Sequence, residues 1–416
     1  MKKKVLIILN TQFPYEKSED FLSNEIDYAI GFDEILCFPI LAYGFKEFND
    51  NIYKRPKLSI KYFNSLLSYK SKLRLIKLLF LLFSNSIIYK QLFFLIQTKR
   101  FSFKNVKILF TFLFIANNAI DDLSKLIKTE YKNSNIVFYS YWMHVGAFSA
   151  IFIKEKLKNK VNFGKIITRC HRFDLYEYAH EGNYLPMRNY ILSQIDEIHS
   201  ISQDGLIYLE EKHKVNKDKL ILSRLGSLDR GIAIYEKSVT LNLVSCSWMR
   251  PVKRISAIVN AISNLDIKLN WVHYGDGEEY AIIKDLIKKI DNPLVNCKLM
   301  GAYSNEQVLE EYSKNHFDIF INVSENEGVP VSIMEAMSFG KIIIATEVGG
   351  TSEIVENGIN GFLLNKDFTN DELVSIFYKI ESLSTNEFES MCKQSRRIWE
   401  ERCNAEKNYI QFYKNL

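Results

Sequence analysis

The sequence predicts an α/β protein built from two doubly wound domains. Its 416 residues exceed what one ordinary hydrophobic core contains. The second half alternates short apolar, β-branched runs with helical segments, the pattern of parallel strands joined by crossover helices. The clearest unit, residues 317–346, is a strand, a loop with Gly328 and Pro330, a helix ending at Gly340, and a strand. Such a unit builds a parallel sheet.

The other elements are predicted from the same patterns. Strands of the first half are expected at residues 5–10, 35–39, 136–140, 165–170, 197–202 and 219–225. Those of the second half are expected at 241–247, 269–274 and 297–300, with helices at 254–263, 278–290, 305–313 and 388–416. We therefore predict domains at 1–228 and 239–390, a linker at 228–238 and a terminal helix at 391–416.

Composition and cysteine spacing narrow the class of protein. The chain is 47% hydrophobic and 25% charged, which is typical of a globular protein. Its six cysteines include no C-x-x-C pair, which argues against zinc sites and a disulfide framework and fits a reducing cytoplasm. The apolar run after Met1 is five residues long, so we interpret it as the first strand and not as a signal peptide.

One segment is strongly basic. Residues 51–110 contain thirteen Lys or Arg and no Asp or Glu, so the rest of the chain has 41 basic and 49 acidic residues. The segment reads as helices, and Lys72, Arg74 and Lys77 alternate there with apolar residues. Two interpretations remain open: a helix lying on an anionic membrane surface, or a packed helical hairpin with a solvated basic face. No recognition motif accompanies the charge, so nucleic acid is not expected as a partner.

Two carboxylates flank the start of the central helix. Glu327 precedes the helix, and Glu335 lies eight residues later. Glu335 would then be about 7 Å beyond the helix start. Helix N-termini attract phosphate, and carboxylates accept hydrogen bonds from neighbouring hydroxyls. The spacing suits a diphosphate between a sugar and a ribose, although two solvated glutamates on an amphipathic helix would show the same spacing.

The residues around these glutamates resemble a known motif. E-G-V-P-V-S-I-M-E, followed by A-M-S-F-G-K, V-G-G-T-S-E-I-V and N-G-I-N-G-F-L-L, resembles the E-x7-E region of the family-4 retaining glycosyltransferases. E-D-F-L-S-N-E-I, after the first strand, resembles a subset of bacterial surface-polysaccharide enzymes. The resemblance implies the GT-B fold, with two Rossmann-like doubly wound domains facing across a cleft. It also implies an acceptor site in the first domain and a terminal helix crossing back to that domain.

The resemblance also implies roles for single residues. Glu327 would hold the donor sugar, Glu335 would bind the ribose, and Lys253 would stabilise the departing diphosphate. His171, in R-C-H-R-F-D-L-Y, would face the donor sugar, although a lone histidine is more often structural. The remaining donor-binding positions are Gly328, Val329, Pro330, Val331 and Ser332 at the phosphates, Tyr303 near the base, and Gly275 of a G-D-G turn.

The sequence departs from the family pattern at one position. Trp248 occupies the place of an expected arginine, and Arg250 or Arg254 would substitute for it. No D-x-D metal motif lies in the proposed site, so neither a metal nor another cofactor is expected.

The predicted function is transfer of a sugar from a UDP- or GDP-sugar, with retention, to a glycan or lipid-linked acceptor. The context would be bacterial surface polysaccharide, such as capsule. The alternatives are a nucleotide-sugar epimerase of the same fold and a catalytically inactive GT-B binding subunit. The expected location is the cytoplasm, including a peripheral position on the inner face of the plasma membrane.

Overall fold

The chain forms two compact units. A computed structural model describes residues 2–13, 20–41, 58–60, 86–231 and 235–416. The first unit contains Met1–Ile201, Gly205–Ser223 and Tyr409–Leu416, and the second contains Ser202–Asp204 and Arg224–Asn408. Much of the predicted basic segment, with Lys70, Lys72, Arg74 and Lys77, lies outside the described residues.

The first unit is organised around a parallel sheet. Its described strands lie in the order β3-β2-β1-β4-β5-β6-β7, and every pair is parallel. They are β1 (Lys4–Asn10), β2 (Glu34–Pro39), β3 (Leu58–Ile60), β4 (Asn135–Ser140), β5 (Asn162–Cys170), β6 (Glu197–Ser200) and β7 (Leu220–Leu222). The central strand β1 is almost completely buried, because parallel strands are covered on both faces.

Helices cover this sheet. The described helices that begin in this part of the chain are Asp20–Ile26, Ser86–Gln97, Phe103–Glu130, Val145–Leu157, Arg172–Leu175, Arg188–Gln194 and Gln203–His213. Strand β3 differs from the helical structure predicted for residues 51–110. Its three residues pair in parallel with β2, where Leu58 is the partner of Ile35. The local sequence pattern favours a helix, but pairing with the edge of the sheet overrides this local preference.

The second unit repeats the same topology. Its described strands lie in the order β10-β9-β8-β11-β12-β13, again all parallel. They are β8 (Leu241–Cys246), β9 (Leu269–Tyr274), β10 (Val295–Gly301), β11 (Ile319–Asn322), β12 (Ile342–Thr346) and β13 (Gly361–Leu364). The helices are Ile255–Ile262, Tyr280–Ile287, Asn305–Lys314, Val331–Ser338, Asn370–Glu381, Thr385–Arg402 and Ala405–Lys414. Apart from the terminal helix, each predicted element of this half is present, with ends shifted by at most three residues.

The change from the first unit to the second comes before the predicted linker. It falls at Arg224, because the residues after it are tied to the helix Thr385–Arg402. The indole nitrogen of Trp399 donates to Ser227 Oγ at 2.8 Å, and Arg396 pairs with Asp229 at 2.7 Å. These contacts join the segment to the second unit.

The terminal stretch is two helices, not one. Thr385–Arg402 packs in the second unit, whereas the residues from Tyr409 onward group with the first. There, Tyr413 donates to the buried Glu25 carboxylate at 3.2 Å, and the Arg169 guanidinium lies 4.2 Å from the centre of the Phe412 ring. In the parts of the chain that the structure covers, no helix combines the length and apolar character needed to cross a bilayer.

Candidate active site

The candidate site lies at one edge of the second sheet. In the order β10-β9-β8-β11-β12-β13, successive strands are added in one direction up to β10 and in the opposite direction from β11 onward. The order therefore reverses between β8 and β11. Ligands of open α/β sheets bind at the carboxyl ends of the strands on either side of such a point. The loops that leave these two strands carry Lys253 and Glu327, so the topology brings together two residues that are 74 positions apart.

Lys253 and Glu327 form a direct ion pair. The Lys253 ammonium donates to Glu327 Oε1 at 2.5 Å, and the Asn322 amide donates to the same oxygen at 3.3 Å. The two side chains are 25% and 13% exposed, so the pair is largely shielded from water but reachable by a ligand. Low exposure strengthens the attraction between the charges and fixes the position of both groups.

The loop after β11 leads directly into a helix. Pro330 is the N-cap, and the helix runs from Val331 to Ser338. Its first amides have no partners within the helix and carry partial positive charge. Gly340 follows the helix with φ +66°, the left-handed conformation that terminates a helix.

A second turn fixes the shape of this loop. Gly350 donates from its backbone nitrogen to the carbonyl of Gly328 at 2.6 Å. A Cβ atom on Gly349 would lie 2.1 Å from the Glu327 carbonyl oxygen, and φ there is +55°. Position 349 therefore requires glycine, and the V-G-G turn holds the loop that carries Glu327.

The two candidate arginines have different surroundings. Arg254 donates through Nε to the Val323 carbonyl at 2.6 Å and through a terminal nitrogen to the Lys366 carbonyl at 2.6 Å. Its guanidinium also lies 4.7 Å from the centre of the Phe368 ring. Arg254 thus holds the end of β11 in place. Arg250 is exposed, so its charge is available to a ligand.

Glu335 is buried rather than solvated. It is 6% exposed, and Asn305 donates to its Oε1 at 2.6 Å. Burial raises the pKa of this carboxyl to about 7, opposed by the Asn305 hydrogen bond and the charge of Arg230. An ionised carboxylate with little solvent favours ligands that donate hydrogen bonds to it. A surface helix face would place this glutamate in water, so burial favours a binding role for it.

Glu335 should make stability depend on pH. Its folded-state pKa of about 7 exceeds the ordinary 4.5, so between these values the folded state binds more protons than the unfolded state. Stability therefore falls as pH rises through this window. At pH 8 the Glu335→Gln variant should be more stable than wild type by about 2–3 kcal/mol. Near pH 4.5 the two should match. Urea unfolding at both pH values measures the difference, and a gap that is the same at both would contradict a buried, ionising Glu335.

Two other predicted donor-site residues of this unit, Gly275 and Tyr303, lie in the neighbouring loops. Gly275 donates from its backbone nitrogen to the Gly301 carbonyl at 2.8 Å, and a Cβ there would lie 1.8 Å from the Ser247 carbonyl oxygen. Gly275 therefore allows the backbone of its loop to pack closely against the backbone at Ser247. Tyr303 is half-buried, with its ring centre 5.2 Å from that of the buried Tyr274.

His171 belongs to the first unit. It follows β5 and is 9% exposed, with its ring centre 4.9 Å from that of Tyr141 and 4.6 Å from that of Trp142. Burial, and then the charge of Arg169, lower its pKa to about 3, so the ring is neutral at physiological pH. Neither ring nitrogen has a hydrogen-bond partner among the described residues. The histidine is therefore held by ring contacts and retains hydrogen-bonding capacity.

The roles of Asn322 and Asn305, and the contacts of Asp174, were not predicted from the sequence. Asn322 holds Glu327, and Asn305 holds Glu335. The Asp174 carboxylate accepts hydrogen bonds from the backbone nitrogens of His171, at 2.6 Å, and Met143. Asn322 carried a signal, since it is a polar residue near the end of a predicted apolar strand. Asn305 carried none, because its contact with Glu335 depends on the packing of two helices.

Comparison with known proteins agrees with this geometry. Residues 238–399 match the family described as glycosyl transferases group 1, so this part of the chain is similar to that family. Among curated relatives, the N-acetyl-alpha-D-glucosaminyl L-malate synthase of Bacillus anthracis is 24% identical over 258 residues. That region is 58% of this chain and 64% of the relative. The chain spans 58% to 64% of the length of the first curated relatives.

Solved structures resemble the whole chain. The apo form of the lipopolysaccharide outer core galactosyltransferase WaaB superimposes with a TM-score of 0.69, at 13% identity, over 99% of this chain and 98% of that one. Anabaena HepE in complex with UDP and glucose gives 0.64, at 14% identity, over 99% of each chain. Such identities show the fold alone. The predicted fold class, GT-B with two Rossmann-like domains, and the resemblance to the glycosyltransferases are therefore confirmed.

Proposed function

We propose that this protein is a retaining glycosyltransferase that moves a sugar from a UDP- or GDP-sugar to a glycan or lipid-linked acceptor in bacterial surface-polysaccharide synthesis. The observation that carries the proposal is the Lys253–Glu327 ion pair of 2.5 Å at the carboxyl edge of the second sheet. It lies beside a helix N-terminus and in the same strand–helix unit as the buried Glu335. The UDP complex of the structurally similar HepE supports a nucleotide-sugar donor.

Each residue has a distinct task in this proposal. The helix N-terminus and the backbone of residues 328–332 bind the phosphates, and Lys253 neutralises the charge that develops on the departing diphosphate. Glu327, held by Lys253 and Asn322, orients the hydroxyls of the donor sugar near the reacting carbon. Glu335 accepts hydrogen bonds from the ribose. Arg250, which is exposed, takes the place of the arginine missing at Trp248.

The acceptor binds to the first unit in this account. Its hydroxyl attacks from the face on which the diphosphate departs, with the leaving phosphate as base, so the anomeric configuration is retained. His171 contacts the donor sugar through a ring nitrogen that no described residue occupies.

A nucleotide screen tests the proposal. A diphosphate present at 100 times its Kd should stabilise the protein by about 2.7 kcal/mol, which is a clear rise in Tm. UDP, GDP and their sugars are compared, followed by analysis of the product from the donor that stabilises most. Stabilisation without any transfer would favour the inactive binding subunit, which the tryptophan at position 248 also favours. Turnover to an epimerised donor would favour the epimerase.

Transfer should not require a metal. The charge on the diphosphate is met by Lys253 and the helix N-terminus, and the described residues include no group of three or more His, Cys, Asp or Glu that could hold an ion. We expect the initial rate with excess EDTA to stay within about twofold of the untreated rate. Loss of activity in EDTA that Mn²⁺ or Mg²⁺ restores would contradict this expectation.

The basic segment should bind anionic membranes. Residues 51–110 carry thirteen basic side chains and no acidic one, whereas a solvated helix face usually mixes both signs. Each Lys or Arg near an anionic surface contributes about 1 kcal/mol, screened over about 10 Å at 0.1 M salt. Cosedimentation with phosphatidylserine vesicles should therefore occur at low salt and decrease at high salt. Replacing Lys70, Lys72, Arg74 and Lys77 with Gln should release the protein and leave nucleotide binding unchanged. Absence of cosedimentation by wild type at low salt would indicate a packing role for the segment.

A further inference from the structure

A cavity lies at the corresponding edge of the first sheet. The order in which strands are added to that sheet reverses between β1 and β4. The cavity is lined by residues at the carboxyl ends of these strands, among them Leu9, Thr11 and Ser140. Its volume is about 350 Å³. This is the position at which an open α/β sheet accepts a ligand. The volume falls in the lower part of the range of small-molecule sites.

The walls of the cavity are mainly apolar. Leu9 is 1% exposed, Ile40 4%, Val145 8% and Ile115 9%, and all four line the space. Phe173 also lines it but is 60% exposed, so the cavity reaches the protein surface near this ring. A ligand could therefore enter from solvent and bury an apolar part against aliphatic side chains.

Three of the polar side chains that line the cavity are hydrogen-bonded within the protein. Ser140 Oγ donates to the Trp142 carbonyl at 2.6 Å, and Asn10 Nδ2 donates to the Phe13 carbonyl at 2.8 Å. The Asp174 carboxylate accepts from two backbone nitrogens. These bonds use hydrogen-bonding capacity that a sugar of many hydroxyls would need. The lining therefore favours a hydrocarbon ligand over a bare sugar.

We propose that this cavity receives an aliphatic chain attached to the acceptor sugar, so that the acceptor is a lipid-linked or alkyl-bearing glycoside and not a free glycan. The inference rests on the proposed transferase function and specifies its acceptor. A dry apolar cavity of roughly 150 Å³ binds benzene, so about 350 Å³ accommodates on the order of a dozen carbon atoms. Ile115, Ile40 and Val145 then determine which chains fit.

Calorimetry with n-alkyl glucosides tests the inference. Methyl, hexyl, octyl and decyl glucoside are titrated as monomers into the full-length protein. Affinity should rise about fifteenfold for every two methylene groups that the cavity buries, and level off when the cavity is full. Ile115→Phe, which fills part of the cavity, should weaken octyl glucoside at least tenfold. Ile108→Phe is the matched control, because it makes the same change on the same helix at a half-buried position that does not line the cavity.

A second variant guards against misfolding. Ile115→Ala enlarges the cavity and should move the chain length at which affinity levels off upward by about two carbons. Equal affinity for methyl and octyl glucoside in wild type, or a chain-length dependence that neither Ile115 variant alters, would overturn the inference.

Nucleotide binding separates this inference from the proposed function. If UDP or GDP binds and sugar is transferred equally well to methyl and octyl glucosides, the cavity assignment is wrong and the transferase function stands. If alkyl chains bind as described but no nucleotide does, the transferase function is wrong. The bound alkyl group could then no longer be identified as part of an acceptor.

Discussion

Replacing Lys253 with alanine should lower the rate of sugar transfer by about a hundredfold to a thousandfold, the cost of removing one preorganised group that stabilises developing charge. Lys253 is positioned before any ligand arrives, because it pairs with Glu327 at 2.5 Å and is only 25% exposed. Its loss removes a fixed positive charge from the diphosphate and also frees Glu327. Initial rates at saturating donor measure the effect, with circular dichroism as a check of folding.

The neighbouring arginines supply the controls. Arg250→Ala should cost about tenfold, since an exposed cation interacts with the diphosphate through screened charge. Arg254→Ala should mainly lower Tm, because Arg254 binds the carbonyl groups of Val323, Ser324 and Lys366. An Arg250 variant that is as inactive as the Lys253 variant would move the main cationic role to Arg250.

Glu335→Gln and Glu327→Gln should impair the protein in different ways. Glu335→Gln should weaken binding of the free nucleotide by about tenfold to a hundredfold, the cost of losing a charged hydrogen bond to the ribose at a buried position. Glu327→Gln should leave nucleotide affinity nearly unchanged and lower kcat by about a hundredfold, because it contacts the sugar that is transferred. Calorimetry with UDP and GDP, together with steady-state rates, separates the two effects.

Asn322→Ala is a matched control for Glu327. It removes the weaker of the two contacts of this carboxylate, 3.3 Å against 2.5 Å, and keeps its charge. It should lower kcat by about tenfold or less. Unchanged nucleotide affinity in Glu335→Gln would refute the ribose assignment, and lost nucleotide affinity in Glu327→Gln would place that residue on the nucleotide.

Much of the fold and part of the site followed from the sequence. The strands of the second unit were predictable because parallel strands are buried on both faces and form continuous apolar runs, such as I-I-I-A-T in β12. Family resemblance assigned Lys253 and Glu327 to the same donor site, whereas their direct ion pair was not predicted. Gly340 after the helix followed from the conformational freedom of glycine.

Other features depended on packing that local patterns do not contain. Burial of Glu335 arises where the helix Val331–Ser338 meets Asn305, and no spacing in the sequence indicates that contact. Arg254 was one of the two candidates for the missing arginine, and the structure shows that it binds carbonyl groups on two loops. Strand β3 forms through pairing with β2, and its three residues are too few to show a period.

The central claim is that the edge of the second sheet binds a nucleotide-sugar and supports transfer of its sugar with retention. The most direct test is to follow, by NMR, the donor that stabilises the protein most, incubated with octyl glucoside and either wild type or Lys253→Ala. We expect release of UDP or GDP and a new glycosidic linkage of the same anomeric configuration as the donor, formed at least a hundredfold faster by wild type than by the variant. A product of inverted configuration, or no release of nucleotide diphosphate from any UDP- or GDP-sugar, would contradict it.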